Sequence, residues 1–183
     1  GSALGLLWSL LTPLVMLAVF TFVFTVVFQV RWGTLGDNKG AFALMLFPGV
    51  IVNAFFAECI NRAPGLILQH PNYVKKVVFP LEILPCVSVL SALFHFGASV
   101  VALLAFELVV MGAIPATALW LPVVIAPLLV LVLGLCWLLA SLGVYLRDIP
   151  QLTALATTVL MFMSPVFYPA SAIPAEFRHW LAL

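Results

Sequence analysis

Five apolar runs of about 17 to 28 residues occupy most of the chain: about 6–28, 41–60, 84–111, 119–144 and 151–167. The first reaches about 34 Å as a helix at 1.5 Å per residue, slightly more than a hydrocarbon core of about 30 Å. In lipid each peptide group must be satisfied inside its own segment, so continuous apolar runs must be helices. A membrane barrel would show short alternating segments instead. Only 7% of the 183 residues are charged, against about 25% in a soluble domain, so no water-facing surface can be built. The expected fold is all-α: a polytopic transmembrane helical bundle, with 1–183 forming a single transmembrane domain.

The connections are short. Trp8 and Trp32 flank the first run, where interfacial aromatics concentrate. Residues 31–40 (RWGTLGDNKG) are rich in turn formers. Pro48-Gly49 is expected to interrupt the second run. Residues 61–83 form the longest stretch of mixed polarity, punctuated by Pro64-Gly65 and His70-Pro71, with room for short helices between them and over 72–79. Pro115 marks a turn, and 145–150 (YLRDIP) is a polar hinge. The fifth run ends at Ser164-Pro165 and Tyr168-Pro169. The tail to Leu183, with Glu176, Arg178, His179 and Trp180, reads as interfacial. Arg62, Lys75, Lys76 and Arg147 fall on one side, and Arg31, Lys39 and Arg178 on the other. The excess of basic residues places the 61–83 loop and the N-terminus in the cytoplasm.

Several function classes are excluded. A net charge of +1 gives no electrostatic footprint for nucleic acid. No G-x-x-x-x-G-K-[ST] loop is present, so ATP is not hydrolysed by that route in this chain, and no H-E-x-x-H zinc helix or G-x-S-x-G elbow appears. Cys59, Cys86 and Cys136 have no metal-binding spacing and read as free, buried thiols. The chain is expected to be no enzyme and to hold no metal or cofactor.

Polar residues inside the runs recur at helical spacing. Ser88, Ser91, His95 and Ser99 share one face, as do Thr153, Thr157, Met161, Ser164 and Tyr168. So do Thr21, Thr25 and Gln29, and Gly134, Trp137, Ser141 and Tyr145. Such faces either line a hydrophilic path or let helices approach one another. His95 is the one ionisable group near mid-span, and its plainer reading is a neutral ring bonded to a neighbouring carbonyl or hydroxyl. Glu58, Glu82 and Glu107 fall near run ends, so no midplane carboxylate is expected beside His95, which argues against an ion-driven carrier. Phe20, Phe24 and Phe28 make one face of the first run. Aromatic rings pack against the apolar faces of sugar rings, so an aromatic-lined passage would suit a glycan, although lipid-facing or core packing is the plainer role. Lys75 and Lys76 either meet anionic headgroups or dock on a partner.

Four stretches carry a family resemblance: 1–13 (GSALGLLWSLLTP), 72–85 (NYVKKVVFPLEILP), 143–149 (GVYLRDI) and 164–174 (SPVFYPASAIP). In this order, and at these places among the spans, they resemble the permease subunit of ABC transporters that export O-antigen and related polysaccharides. The resemblance implies six spans, with the sixth after Leu183, and about thirty residues before Gly1. It implies a homodimer enclosing a channel in a bacterial inner membrane, with ATP and Mg on a separate nucleotide-binding subunit. A cytoplasmic coupling region at 61–83 would meet that subunit through Asn72, Tyr73, Lys75, Lys76 and Glu82, joined by Arg147 and Asp148 of the hinge. Candidate channel-lining residues are Phe20, Phe24, Phe28, Ser91, His95 and Tyr168. The 164–183 segment would form an extracytoplasmic re-entrant gate, with Ser164, Pro165, Tyr168 and Pro169 as gate residues. The implied cargo is a lipid-linked polysaccharide, and the alternative is a permease of the same fold exporting teichoic acid, a drug or a lipid.

Overall fold

The computed structural model describes residues 11, 12, 14–16, 18, 19, 22, 39–69, 80–112 and 116–164, with backbone alone for 39–45 and 110–111. Among the described residues four long helices follow one another from residue 39 on: α1 (Lys39–Arg62), α2 (Ile83–Met111), α3 (Leu121–Tyr145) and α4 (Ile149–Met163). Single 3-10 turns at Ala63–Gly65 and Ala116–Trp120 extend α1 and introduce α3. The stretches Ile83–Val109 and Ala116–Tyr145 are long and apolar enough to cross a bilayer. α4, at 15 residues, reaches only about 22 Å.

Local chemistry sets several boundaries. Proline is well placed in the first turn of a helix, where its missing N–H would be unsatisfied anyway. α3 and α4 both begin that way, at Pro122 and Pro150. α2 ends at Gly112, whose φ of 73° lies in the left-handed region and whose N–H bonds the Leu108 carbonyl at 3.0 Å. Glycine takes that conformation without the steric cost of a Cβ. The expected interruption at Pro48-Gly49 is not found: α1 runs unbroken through Pro48. Membrane helices tolerate an internal proline because neighbouring groups re-satisfy the freed backbone.

α1 is the central helix and packs against α2, α3 and α4. It buries Phe47, Ile51, Phe55 and Cys59, and Ala63 continues the row into the 3-10 turn, so every fourth residue points inward. Facing this ridge are Val89, Ala92, Phe96 and Leu103 of α2, and Ile125, Val132 and Cys136 of α3. Phe55 and Phe96 meet edge to face with ring centroids 5.4 Å apart. Lipid tails are as apolar as leucine, so close packing, not escape from water, holds such helices together. The small residues Ala92, Cys136, Ala140 and Gly143 sit at these contacts and let backbones approach. The outer faces are the reverse of a soluble protein's: Val124, Val130 and Val109 are 70%, 74% and 84% exposed. A water-soluble protein rarely leaves such extensive apolar faces bare, whereas a bilayer solvates them.

Of the three thiols, Cys59 and Cys136 are buried as expected, and Cys86 is only half-buried. Cys136 Sγ lies 3.6 Å from the Cys59 carbonyl, which ties α3 to α1.

Candidate functional site

One end of the bundle gathers the end of α1, the turn after it, the start of α2 and the end of α3. Gly143 and Pro64 meet there backbone to backbone. A Cβ built on Gly143 would stand 2.3 Å from the Pro64 carbonyl oxygen and 2.8 Å from its Cα. Glycine thus lets the last turn of α3 lie directly on the 3-10 turn after α1. One and a half turns earlier in α3, the Trp137 indole N–H donates to the Glu82 carbonyl at 2.9 Å. Trp137 and Glu82 border a mostly apolar cavity of about 420 Å³, also lined by Ile67, Leu81, Pro85 and Ser141.

The 145–148 turn protrudes from this end. Tyr145 is 84% exposed, and Leu146, Arg147 and Asp148 are exposed too. The turn is held by backbone bonds, Leu146 N–H to Leu142 and Ile149 N–H to Leu146. Asp148 sits at the N-cap of α4, yet its side chain makes no capping bond. Arg147 and Asp148 do not pair with one another or with any described residue, so the turn does not rest on a local ion pair.

A second polar group lies deeper. Glu58 Oε1 accepts from Arg62 Nη2 at 2.9 Å and lies 3.0 Å from His95 Nδ1. This corrects the expectation that no carboxylate stands beside His95. Glu58 is one turn from the end of α1, but that end lies against the middle of α2. The Ser99 hydroxyl bonds the His95 carbonyl, so it does not hold the ring. Nearer α4, Asn61 Nδ2 donates to Thr157 Oγ1 at 3.2 Å, and the Thr157 hydroxyl can back-bond to the Thr153 carbonyl at 3.0 Å. Thr153 and Thr157 are buried, so this part of their stripe packs. Gly134, Trp137, Ser141 and Tyr145 are all exposed, so the α3 stripe lies at the surface of the described bundle, and Trp137 alone of the four reaches across to bond Glu82. Replacing Thr157 with Val should weaken the α1–α4 contact by about 0.6 kcal/mol, the usual size of an interhelical hydrogen bond in a membrane. A double-mutant cycle with Asn61→Ala, read by unfolding in detergent, would return near-zero coupling if the bond does not form.

Of the residues expected at the coupling region, the structure brings Glu82, Arg147 and Asp148 to the same end of the bundle. Asn72, Tyr73, Lys75 and Lys76 lie outside the described residues, as do Phe20, Phe24, Phe28, Pro165, Tyr168 and Pro169. Ser91 is exposed on α2 and His95 half-buried, while Ser164 is the half-buried last described residue, its N–H bonded to Leu160. Sequence reasoning missed Glu58, Arg62, Asn61 and the Gly143 contact. The i,i+4 spacing of Glu58 and Arg62 is itself an ion-pair signal, but nothing in the sequence points to His95 as a third member.

Among the described residues no three His, Cys, Asp or Glu side chains converge to hold a metal. Long apolar helices packed through small residues, with bare apolar outer faces, have the build of a membrane-embedded helical bundle. The chain belongs to the ABC-2 type transporter family, whose profile matches residues 1–183. It is 30% identical to the O-antigen export system permease protein RfbA of Myxococcus xanthus, over 100% of this chain and 68% of that protein. It is 25% identical to the O-antigen export system permease protein RfbA of Klebsiella pneumoniae, over 99% of this chain and 67% of that protein. It is thus an ABC-2 type membrane permease homologous to O-antigen export permeases.

Proposed function

We propose that the chain is the membrane-spanning subunit of an ABC exporter that moves a lipid-linked polysaccharide across a bacterial cytoplasmic membrane. The observation that carries this reading is similarity over essentially the whole chain to permeases named for O-antigen export. In this reading the protein is multi-pass with six spans, and two copies enclose the passage. A separate nucleotide-binding subunit supplies ATP hydrolysis. That subunit bears on the 61–83 region, through Asn72, Tyr73, Lys75, Lys76 and Glu82, and on the exposed turn carrying Arg147 and Asp148. Phe20, Phe24, Phe28, Ser91, His95 and Tyr168 line the passage, and 164–183 forms its outer gate with Ser164, Pro165, Tyr168 and Pro169.

Deleting the gene and comparing surface glycan with intracellular lipid-linked glycan tests the reading. Loss at the surface with accumulation inside is expected. Unchanged pools would reject the polysaccharide and leave a teichoic-acid, drug or lipid exporter. Changing Lys75 and Lys76 together to Glu should reduce co-purification of the ATPase while membrane insertion persists. Undiminished co-purification would remove both lysines from the contact. Arg147→Ala should impair export, because a protruding cation with no ion-pair partner among the described residues is suited to an acidic partner; wild-type export in that variant would exclude it.

A further inference from the structure

Glu58, Arg62 and His95 form a chain of charged and polar groups with unspent hydrogen-bonding capacity. Glu58 Oε1 serves both neighbours. Among the described residues nothing pairs with its second oxygen, with the His95 Nε2 or with the remaining guanidinium N–H groups. The side chains are 24%, 44% and 49% exposed for Glu58, His95 and Arg62. His95 stands one residue from the centre of the apolar stretch Ile83–Val109. An ionised group at that depth is costly against hydrocarbon and is found facing water or protein. α2 itself shows two exposed aspects. Ser91 and His95 share one flank, whereas Leu90, Phe94 and Val101 on its back are 66%, 56% and 60% exposed. The back suits lipid and the flank does not.

We propose that Glu58, Arg62 and His95 form a hydrogen-bonding subsite, on a water-filled face of the bundle within the membrane, for the hydroxyl groups of a carbohydrate cargo. The identity of the cargo rests on the function proposed above. The charges of Arg62 and Glu58 offset one another, so the cluster suits a neutral ligand better than an anion or cation. A carboxylate oxygen accepts from a hydroxyl, guanidinium N–H groups donate to one, and a ring nitrogen does either according to tautomer. Sugar hydroxyls both donate and accept, and a lipid tail does neither.

The test is thiol accessibility in membranes containing the full permease and its ATPase. H95C, S91C, L90C and V101C are each placed in a C86A background, whose own labelling is subtracted, and a membrane-impermeant methanethiosulfonate is applied from either side. A thiol in lipid stays protonated and unreactive, so H95C and S91C should label about tenfold faster than L90C and V101C. Their labelling should slow several-fold in cells that make the lipid-linked glycan, relative to cells that cannot. Labelling of H95C and S91C as slow as V101C would overturn the water-filled face. Fast labelling that is the same with and without glycan would overturn the cargo contact. S91C, exposed one turn away, carries both readings if H95C disturbs the α1–α2 contact. Gene deletion reads the proposed cargo separately, so the failure of one idea is not mistaken for failure of the other.

Discussion

Gly143→Ala is expected to destabilise the permease by about 3 kcal/mol, the upper end of what overpacking costs. The reason is backbone against backbone. The added methyl would stand 2.3 Å from the Pro64 carbonyl oxygen, with the Pro64 Cα and carbonyl carbon at 2.8 and 2.9 Å. No flexible side chain can yield, so either the last turn of α3 or the 63–65 turn must move. Gly134, nine residues earlier in the same helix, has nothing within 4 Å of its Cβ position. There the same substitution removes only glycine's helix penalty and should be neutral or stabilising by up to about 1 kcal/mol. Thermal unfolding of the detergent-solubilised protein, followed by size exclusion, reads both. A Gly143→Ala midpoint at or above that of the parent would mean that α3 does not lie on Pro64.

Phe55→Ala should cost about 2–3 kcal/mol. In a bilayer the transfer term is small, because lipid is itself apolar. What remains is the cavity, at ~24 cal/mol per Å³ for a loss on the order of 100 Å³. Phe55 is 2% exposed and meets Phe96 of α2 edge to face, so its removal opens the seam between the central helix and its main neighbour. Phe94→Ala is the control. That ring is 56% exposed on the back of α2, and its loss should stay within about 0.5 kcal/mol. Equal effects at the two positions would mean that the α1–α2 seam is placed wrongly.

The two longest helices were legible because their apolar runs are unbroken. Ile83–Met111 and Leu121–Tyr145 fall within one or two residues of the runs expected at 84–111 and 119–144. Pro48 was misread because a proline rule learned from water overstates its effect in a bundle whose neighbours can re-satisfy the backbone. Glu58 was misplaced for a geometric reason. Residue spacing gives the rise along each helix but not the axial offset between two helices, so a group near the end of α1 could not be seen to meet the middle of α2. Gly143 was legible only as part of a family-like stretch, since a contact with Pro64, 79 positions away, leaves no local pattern. The stripe that begins at Thr153 and Thr157 is legible as a repeat, and the bond of Thr157 to Asn61 with the burial of both threonines makes this part of it a packing face. The exposed α3 stripe shows that equal spacing can serve a different surroundings.

The contact of Gly143 with Pro64 also has a mechanical consequence. A joint made of side chains has slack, because rotamers can change before the backbone moves. Here two main chains abut, and a close-packed interior has low compressibility and transmits strain. The protruding 145–148 turn and the 63–65 turn are therefore joined as a stiff coupling with little backlash. A load applied to either is delivered to the other as displacement, and it arrives at the foot of α1, which packs against the three other long helices described.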